Sequence, residues 1–261
     1  MIHVLFIGDV VGRPGRRVLL QHLPGLRARY APALVIANAE NAAAGFGVTE
    51  AIVTELLEAG VDLLTSGNHI WDRREALNFI DRQPRLLRPH NYPPGTPGSG
   101  WWAGECGGLR IGVLNLMGQV FMQPVVDCPF RCAEAALARH GGEVDAVVVD
   151  FHGEASSEKQ ALGRFLDGRV AAVLGSHTHV PTADEGLLPG GTAYITDAGM
   201  TGCYDSIIGM EVGPSVERFT TRLARRLEVA RGPARLCGVR VALDPAGGRA
   251  RAIERLRLEE T

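Results

Sequence analysis

DAVVVDFHGEASSEK, residues 145–159, carries the fold in miniature. The apolar, β-branched run Asp145–Phe151 reads as a strand, His152 follows at its end, and Ser156–Lys159 reads as a helix start after a glycine turn. The same rhythm recurs outward in both directions. Strand-like runs span His3–Ile7, Ala33–Ala37, Val61–Thr65, Arg110–Leu116, Val170–Leu174 and Thr192–Thr196. Helix-like segments span Gly15–Arg29, Thr49–Ala59, Arg73–Arg82, Pro129–His140 and Ser156–Leu166. That alternation predicts an α/β fold. An Arg-rich helix over Val216–Arg231 and two closing strands, Ala234–Leu243 and Ala250–Leu258, complete the expectation. The Pro- and Gly-rich stretch Arg88–Gly108 reads as an ordered loop packed around Trp101 and Trp102.

The 261 residues fit one large α/β domain spanning 1–261. Apolar residues at 46% and charged residues at 21% exclude a disordered chain. The formal charge of -2 excludes a global basic field for nucleic acid or anionic membranes, though a local anion site is compatible with it. Five scattered cysteines without C-x-x-C spacing argue against a disulfide framework or structural zinc. Together with the lack of a secretory signal or an 18-residue apolar stretch, they give the expectation of a cytoplasmic protein with no membrane partner.

The residues just beyond each strand carry the chemistry. Asp9 comes just after the first run, Glu40 and Asn41 after the second, Asn68 and His69 after the third. His152 ends the Asp145–Phe151 run, and His177 and His179 follow Val170–Leu174. In an open α/β sheet, ligands bind beyond the carboxyl ends of the strands, so residues distant in sequence converge there. Two carboxylates, two carboxamides and four imidazoles suit divalent iron, manganese or zinc, and match calcium poorly. One metal would leave ligands over; two, bridged by Glu40, would use the set. His3, His22, His90 and His140 read as structural or solvent-exposed. Taken singly, Asp9 and Asn68 also read as caps of a helix and a turn. Gly8, Gly12 and Gly15 lack G-x-G-x-x-G spacing, and neither a P-loop nor a G-x-S-x-G elbow occurs.

GDVVG (8–12), NAEN (38–41), SGNHIWD (66–72), DFHGE (150–154) and GSHTHVPTAD (175–184), in this order, resemble the calcineurin-like metallophosphoesterases. The chain is more closely similar to the YmdB-like bacterial cyclic-nucleotide phosphodiesterase branch, through NAENAAAGFG, SGNHIWD, DFHGEASSEK and TDAGMTG. The resemblance covers Ile7 to about Gly209 and implies a four-layer α/β/β/α sandwich with a dinuclear metal site at the strand ends. It assigns Asp9, Glu40, Asn41 and His179 to a first metal, and Glu40, Asn68, His152 and His177 to a second. The wider superfamily has D-x-H in its first block where this chain has Asp9-Val10-Val11, and Asn41 is the available replacement donor.

The resemblance further implies phosphodiester hydrolysis of small cyclic nucleotides of the 2′,3′-cyclic AMP type, by metal-activated hydroxide with His69 as general acid. A phosphomonoesterase on the same metals and a slow regulatory sensor of nucleotides or RNA ends are the competing readings. Thr201, Gly202 and Tyr204 are expected on a substrate-side loop by the same resemblance. Arg73 and Arg74 read as a phosphate contact or as a solvated helix turn. The apolar stretch 199–213 leaves a homo-oligomer open, with internal packing as the default.

Overall fold

The computed structural model describes residues Met1–Thr261. Along the chain run β1 (Ile2–Ile7), α1 (Gly12–Tyr30), β2 (Leu34–Asn38), α2 (Glu50–Glu58), β3 (Leu63–Thr65), α3 (Ala76–Phe79), β4 (Trp101–Cys106) and β5 (Leu109–Met117). They are followed by α4 (Pro129–His140), β6 (Ala146–His152), α5 (Ser156–Leu166), β7 (Ala172–Ser176), β8 (Gly186–Leu187), β9 (Ala193–Ile195) and β10 (Gly202–Cys203). The last elements are α6 (Val212–Thr221), β11 (Ala234–Leu243) and β12 (Ala250–Glu259).

The strands form two sheets. In the first, β1, β2 and β3 are parallel neighbours, while β11 returns antiparallel to β1 and pairs β12 and the short β10. In the second, β5, β6, β7 and β9 are parallel in that order, with β4 and β8 antiparallel at the edges. Side-chain alternation along each strand then sets the layers. Leu5, Ile7, Val35 and Ala37 pack on α1 and α2. Val4, Phe6 and Ile36 meet Ile111, Val113 and Val148 of the other sheet. Leu114, Val147, Val149 and Phe151 pack on α4 and α5. The result is the expected four-layer α/β/β/α sandwich of helices, two sheets and helices. The parallel strands of both sheets run into one rim, where the loops after β1, β2, β3, β6 and β7 meet. No helix is long and apolar enough to cross a membrane, and all five cysteines are free.

Three expectations fail locally. Residues 101–106 form β4 instead of a loop, turning into β5 through Gly107 and Gly108, whose φ values of 60° and 89° suit a type I′ hairpin. The expected helix 216–231 is displaced. α6 begins at Val212 because Pro214 is tolerated in a first turn, and it stops at Arg222, which adopts a left-handed φ of 60°. The Thr221 hydroxyl then accepts the Leu223 N–H at 3.2 Å, diverting it from helix continuation. The expected helix 73–82 is only the single turn α3 followed by a 3₁₀ turn, Ile80–Arg82.

Candidate metal centre

Strand geometry delivers the donors. His152 ends β6 in parallel register with Ser176, the end of β7, so the loop bearing His177 and His179 begins beside it. Gly67 allows the third loop to close over them, since a Cβ there would stand 2.0 Å from Cδ2 of His152. Any side chain would push Asn68 and His69 off the site.

Four donors meet at one point. Nε2 of His152 lies 2.9 Å from Glu40 Oε1, 3.1 Å from Asn68 Oδ1 and 3.0 Å from His177 Nδ1. Glu40, His152 and His177 form a cluster able to hold a metal ion. The tautomer of His152 is set from behind. The Ser176 hydroxyl donates to Asp150 Oδ1 at 2.6 Å, so its oxygen is left to accept from His152 Nδ1 at 3.0 Å. Nε2 therefore turns its lone pair into the cluster. His177 Nε2 stands 3.2 Å from Glu154. An N–H there points His177's other lone pair at the same place.

A second convergence lies alongside. His179 Nδ1 is 2.8 Å from the Ile208 carbonyl, which fixes the proton on that nitrogen and leaves Nε2 as an acceptor. Nε2 nevertheless faces another acceptor, Asn41 Oδ1, at 3.3 Å, while Asn41 Nδ2 donates to the Gly45 carbonyl at 2.9 Å. Asp9 is completely buried; Oδ2 accepts the His177 N–H at 3.1 Å, whereas Oδ1 has no hydrogen-bond partner. Asp9 does not cap α1, whose N-cap Val11 makes no side-chain bond, and Asn68 caps nothing either.

Crowded lone pairs and an orphaned carboxylate oxygen call for a cation. Protonation of His152 supplies one. Burial pulls that imidazole down, but the Glu40 and Asp9 carboxylates outweigh it and raise its pKa to about 9. Glu40 is held at about 2, despite burial that opposes its charge, by the His152 imidazolium. His177 is pushed down to about 2 by burial and by the charge on His152. The donor set therefore fits divalent metal ions, which would replace that single proton.

His69 stands at the edge of this cluster. Its backbone N–H donates to Glu40 Oε2 at 2.9 Å, its ring lies edge-on to Phe46 at 5.0 Å, and Nδ1 is 2.8 Å from Asp72 Oδ2. Nε2 is left for a cleft of about 870 Å³ lined by Glu40, His69, His177 and His179, with Phe46 and Phe219 on its walls.

A family model described as YmdB-like protein matches residues 5–256. The chain belongs to the YmdB-like family. It is 46% identical, over 99% of this chain and 98% of its counterpart, to the 2′,3′-cyclic-nucleotide 2′-phosphodiesterase of Bacillus subtilis (strain 168). A crystal structure of a hypothetical protein from Thermus thermophilus superposes with a TM-score of 0.94 at 47% identity, each chain fully covered. The calcineurin-like phosphoesterase YfkN from Bacillus subtilis shares the fold, with a TM-score of 0.62 at 9% identity over 99% of this chain and 90% of that one.

Within this YmdB-like architecture all eight motif residues stand at the same rim, whereas the neighbouring substrate-loop expectation fails. Thr201 is buried with its hydroxyl donating to the Cys237 carbonyl at 3.1 Å, Gly202 pairs in β10, and Tyr204 donates to the Met200 carbonyl at 3.0 Å. These residues brace the sheet edge. Arg73 lies outside a helix turn; it donates to the Phe46 and Ala43 carbonyls at 3.1 and 3.0 Å, holding the loop that carries Phe46. His3, His22, His90 and His140 lie outside the cluster; His140, for instance, stacks on Trp101.

Four supporting groups escaped the sequence reading: Asp72, Asp150, Lys159 and Asp197. Two had a signal. Asp72 is three residues beyond His69, and Asp150 is two before His152 on the same strand face.

Proposed function

We propose that this YmdB-like chain, as one metallophosphoesterase domain over residues 1–261, is a divalent-metal-dependent phosphodiesterase that opens 2′,3′-cyclic nucleotides at the 2′ oxygen. The observation that carries the reading is the meeting of Glu40, Asn68 and His177 donors within 3.1 Å of His152 Nε2, beside a His69 that no metal donor consumes. The name of the 46% identical Bacillus subtilis relative supports the substrate class.

Asp9, Glu40, Asn41 and His179 would hold one cation, and Glu40, Asn68, His152 and His177 the other; iron or manganese suits the mixed nitrogen and oxygen donors, and zinc is the third candidate. When bound, the cations outweigh the two carboxylates, stabilise charge developing on the phosphoryl oxygens and activate water as the nucleophile. The chain's own residues do the rest. Asp72 accepts from His69 Nδ1, which orients the ring and stabilises the imidazolium in which Nε2 carries the transferable proton. Phe46 packs against that ring and narrows its motion. As water's oxygen bonds to phosphorus and the P–O2′ bond breaks, the Nε2 proton passes to O2′ and the proton given up by the water is returned to the ring through solvent, leaving a 3′-phosphate.

The test is hydrolysis of 2′,3′-cyclic AMP by chelator-stripped protein reloaded with manganese or ferrous iron. Metal-restored formation of 3′-AMP is expected. Hydrolysis of 3′-AMP in preference to the cyclic diester would establish the monoesterase reading instead, and metal binding without turnover of either would leave a sensor.

A further inference from the structure

The cleft does not end at the cluster. Beyond Phe46 a second cavity of about 540 Å³ continues, sharing Phe46, Arg218 and Leu227 with the first and adding Arg73, Arg225 and Arg226. The first cavity alone, at about 870 Å³, is near the upper end of the roughly 300–1,000 Å³ typical of small-ligand sites. Arg222 lines it as well. Five arginines thus border two adjoining cavities, which we treat as one groove, in a chain whose net charge is -2.

Their bonding separates them by role. Arg73 is spent on the Phe46 and Ala43 carbonyls, and Arg225 pairs with Glu217. Arg218, Arg222 and Arg226 have neither a hydrogen bond to another side chain nor an ion pair. Between them stand Phe219 and Leu223, 67% and 59% exposed on the same helix end. Unpaired guanidiniums interleaved with exposed apolar faces make a track for phosphates and bases. A cyclic mononucleotide brings one phosphate, and the metal donors claim it. The arginines further out would then face nothing.

We propose that the groove binds single-stranded RNA ending in a 2′,3′-cyclic phosphate, with the terminal diester at the His69 edge and the preceding phosphates on Arg218, Arg222 and Arg226. The proposal rests on the phosphodiesterase reading for its chemistry, and the bond broken is the same P–O2′ bond. Phe219 and Phe46 offer ring faces or edges to the bases, a mode that tolerates sequence because every base has a π-face.

The experiment compares manganese-loaded protein on 2′,3′-cyclic AMP and on a five-nucleotide RNA with a cyclic phosphate end, from low to high salt. In parallel, fluorescence anisotropy follows binding of a labelled pentanucleotide ending in 3′-phosphate, which needs no turnover. The RNA is expected to have at least a tenfold higher kcat/KM at low salt and a steeper salt dependence. In Arg218→Gln/Arg222→Gln/Arg226→Gln the ratio of RNA to mononucleotide kcat/KM should fall about tenfold, and the salt slope of binding should drop by about 0.7 per lost phosphate contact. A merely structural role for the arginines would leave that slope unchanged. Equal kcat/KM and equal salt dependence for the two wild-type substrates would overturn the proposal while leaving the mononucleotide activity intact. Arginine-dependent RNA binding without hydrolysis of either substrate would keep the RNA groove and refute the reaction.

Discussion

The Lys159 ammonium lies 2.7 Å from the Asp197 carboxylate, and both are almost wholly shut off from solvent. The pair underpins the histidine loop: Lys159 also donates to the Ser176 carbonyl at 2.7 Å, and Asp197 accepts the Thr178 and Gly199 N–H groups at 3.0 and 2.8 Å. His177 and His179 on that loop hold left-handed φ values of 104° and 67°, a strain that survives only where surroundings over-determine it.

Lys159→Met should therefore strand a buried carboxylate at a cost of about 3–5 kcal/mol. For a chain of this size that lowers the melting temperature by roughly 10 °C. Adding Asp197→Asn removes the stranded charge while keeping an acceptor for one N–H, so calorimetry should show partial recovery. Metal content should remain low in both, because neither restores the anchor under Ser176. A single variant as stable as the wild type would refute the anchoring role.

His69→Ala and Glu40→Ala should fail in different ways. His69 contributes a backbone N–H, which alanine retains, to Glu40 and only a ring to the cleft, so its variant should keep two metals per chain and lose about 10²–10⁴ in kcat. Glu40→Ala removes the carboxylate nearest His152 and should lose metal along with turnover. Elemental analysis beside steady-state kinetics separates the two. Normal metal content in Glu40→Ala would remove it from the ligand set.

The strands and the site motifs were legible because both rest on short-range pattern. A β-branched run buried on two faces has few other ways to be satisfied, and a donor just beyond it lands on the rim by topology alone. β4 escaped because its edge position relaxes the apolar pattern and its Pro-rich approach resembles a loop, although Gly107–Gly108 marked the hairpin. Asp150 was hidden between Val149 and Phe151, where only the two-residue period links it to His152. Lys159 and Asp197 carried no local signal at all, since their pairing depends on α5 and the end of β9 closing over the same loop. The arginines Arg218, Arg222 and Arg226 likewise gain meaning only when α6 is seen to end at Arg222 beside the cleft.

Metal uptake should release a proton. His152 is raised to about 9 in the metal-free fold, chiefly by Glu40 and Asp9 working against burial. A raised imidazole stabilises the metal-free fold fully below its ordinary value of about 6.5 and loses that contribution as pH climbs through about 9. Between those limits a cation must displace the proton, so affinity should rise with pH across this window. Titration calorimetry in buffers of different ionisation enthalpy should give close to one proton released per chain near pH 7.5. An enthalpy independent of buffer would contradict the protonated cluster.

Ser176→Ala tests the support behind His152. The hydroxyl donates a hydrogen bond to Asp150 and accepts one from His152 Nδ1, so its loss leaves the imidazole free to adopt the other tautomer, with Nε2 protonated and useless as a metal ligand. Losing such an outer partner typically costs 10–100-fold in metal affinity. Asp150, whose pKa burial raises to about 6, would also lose its hydroxyl donor Ser176 while keeping the longer contact from Asn38 at 3.2 Å. Its carboxylate should then become harder to ionise, and the metal-affinity deficit should widen as pH falls through 6. Thr is the informative control. Ser176→Thr retains the hydroxyl and should recover most of the affinity, whereas equal losses in the alanine and threonine variants would mean that packing, not the hydrogen-bond chain, is what Ser176 supplies.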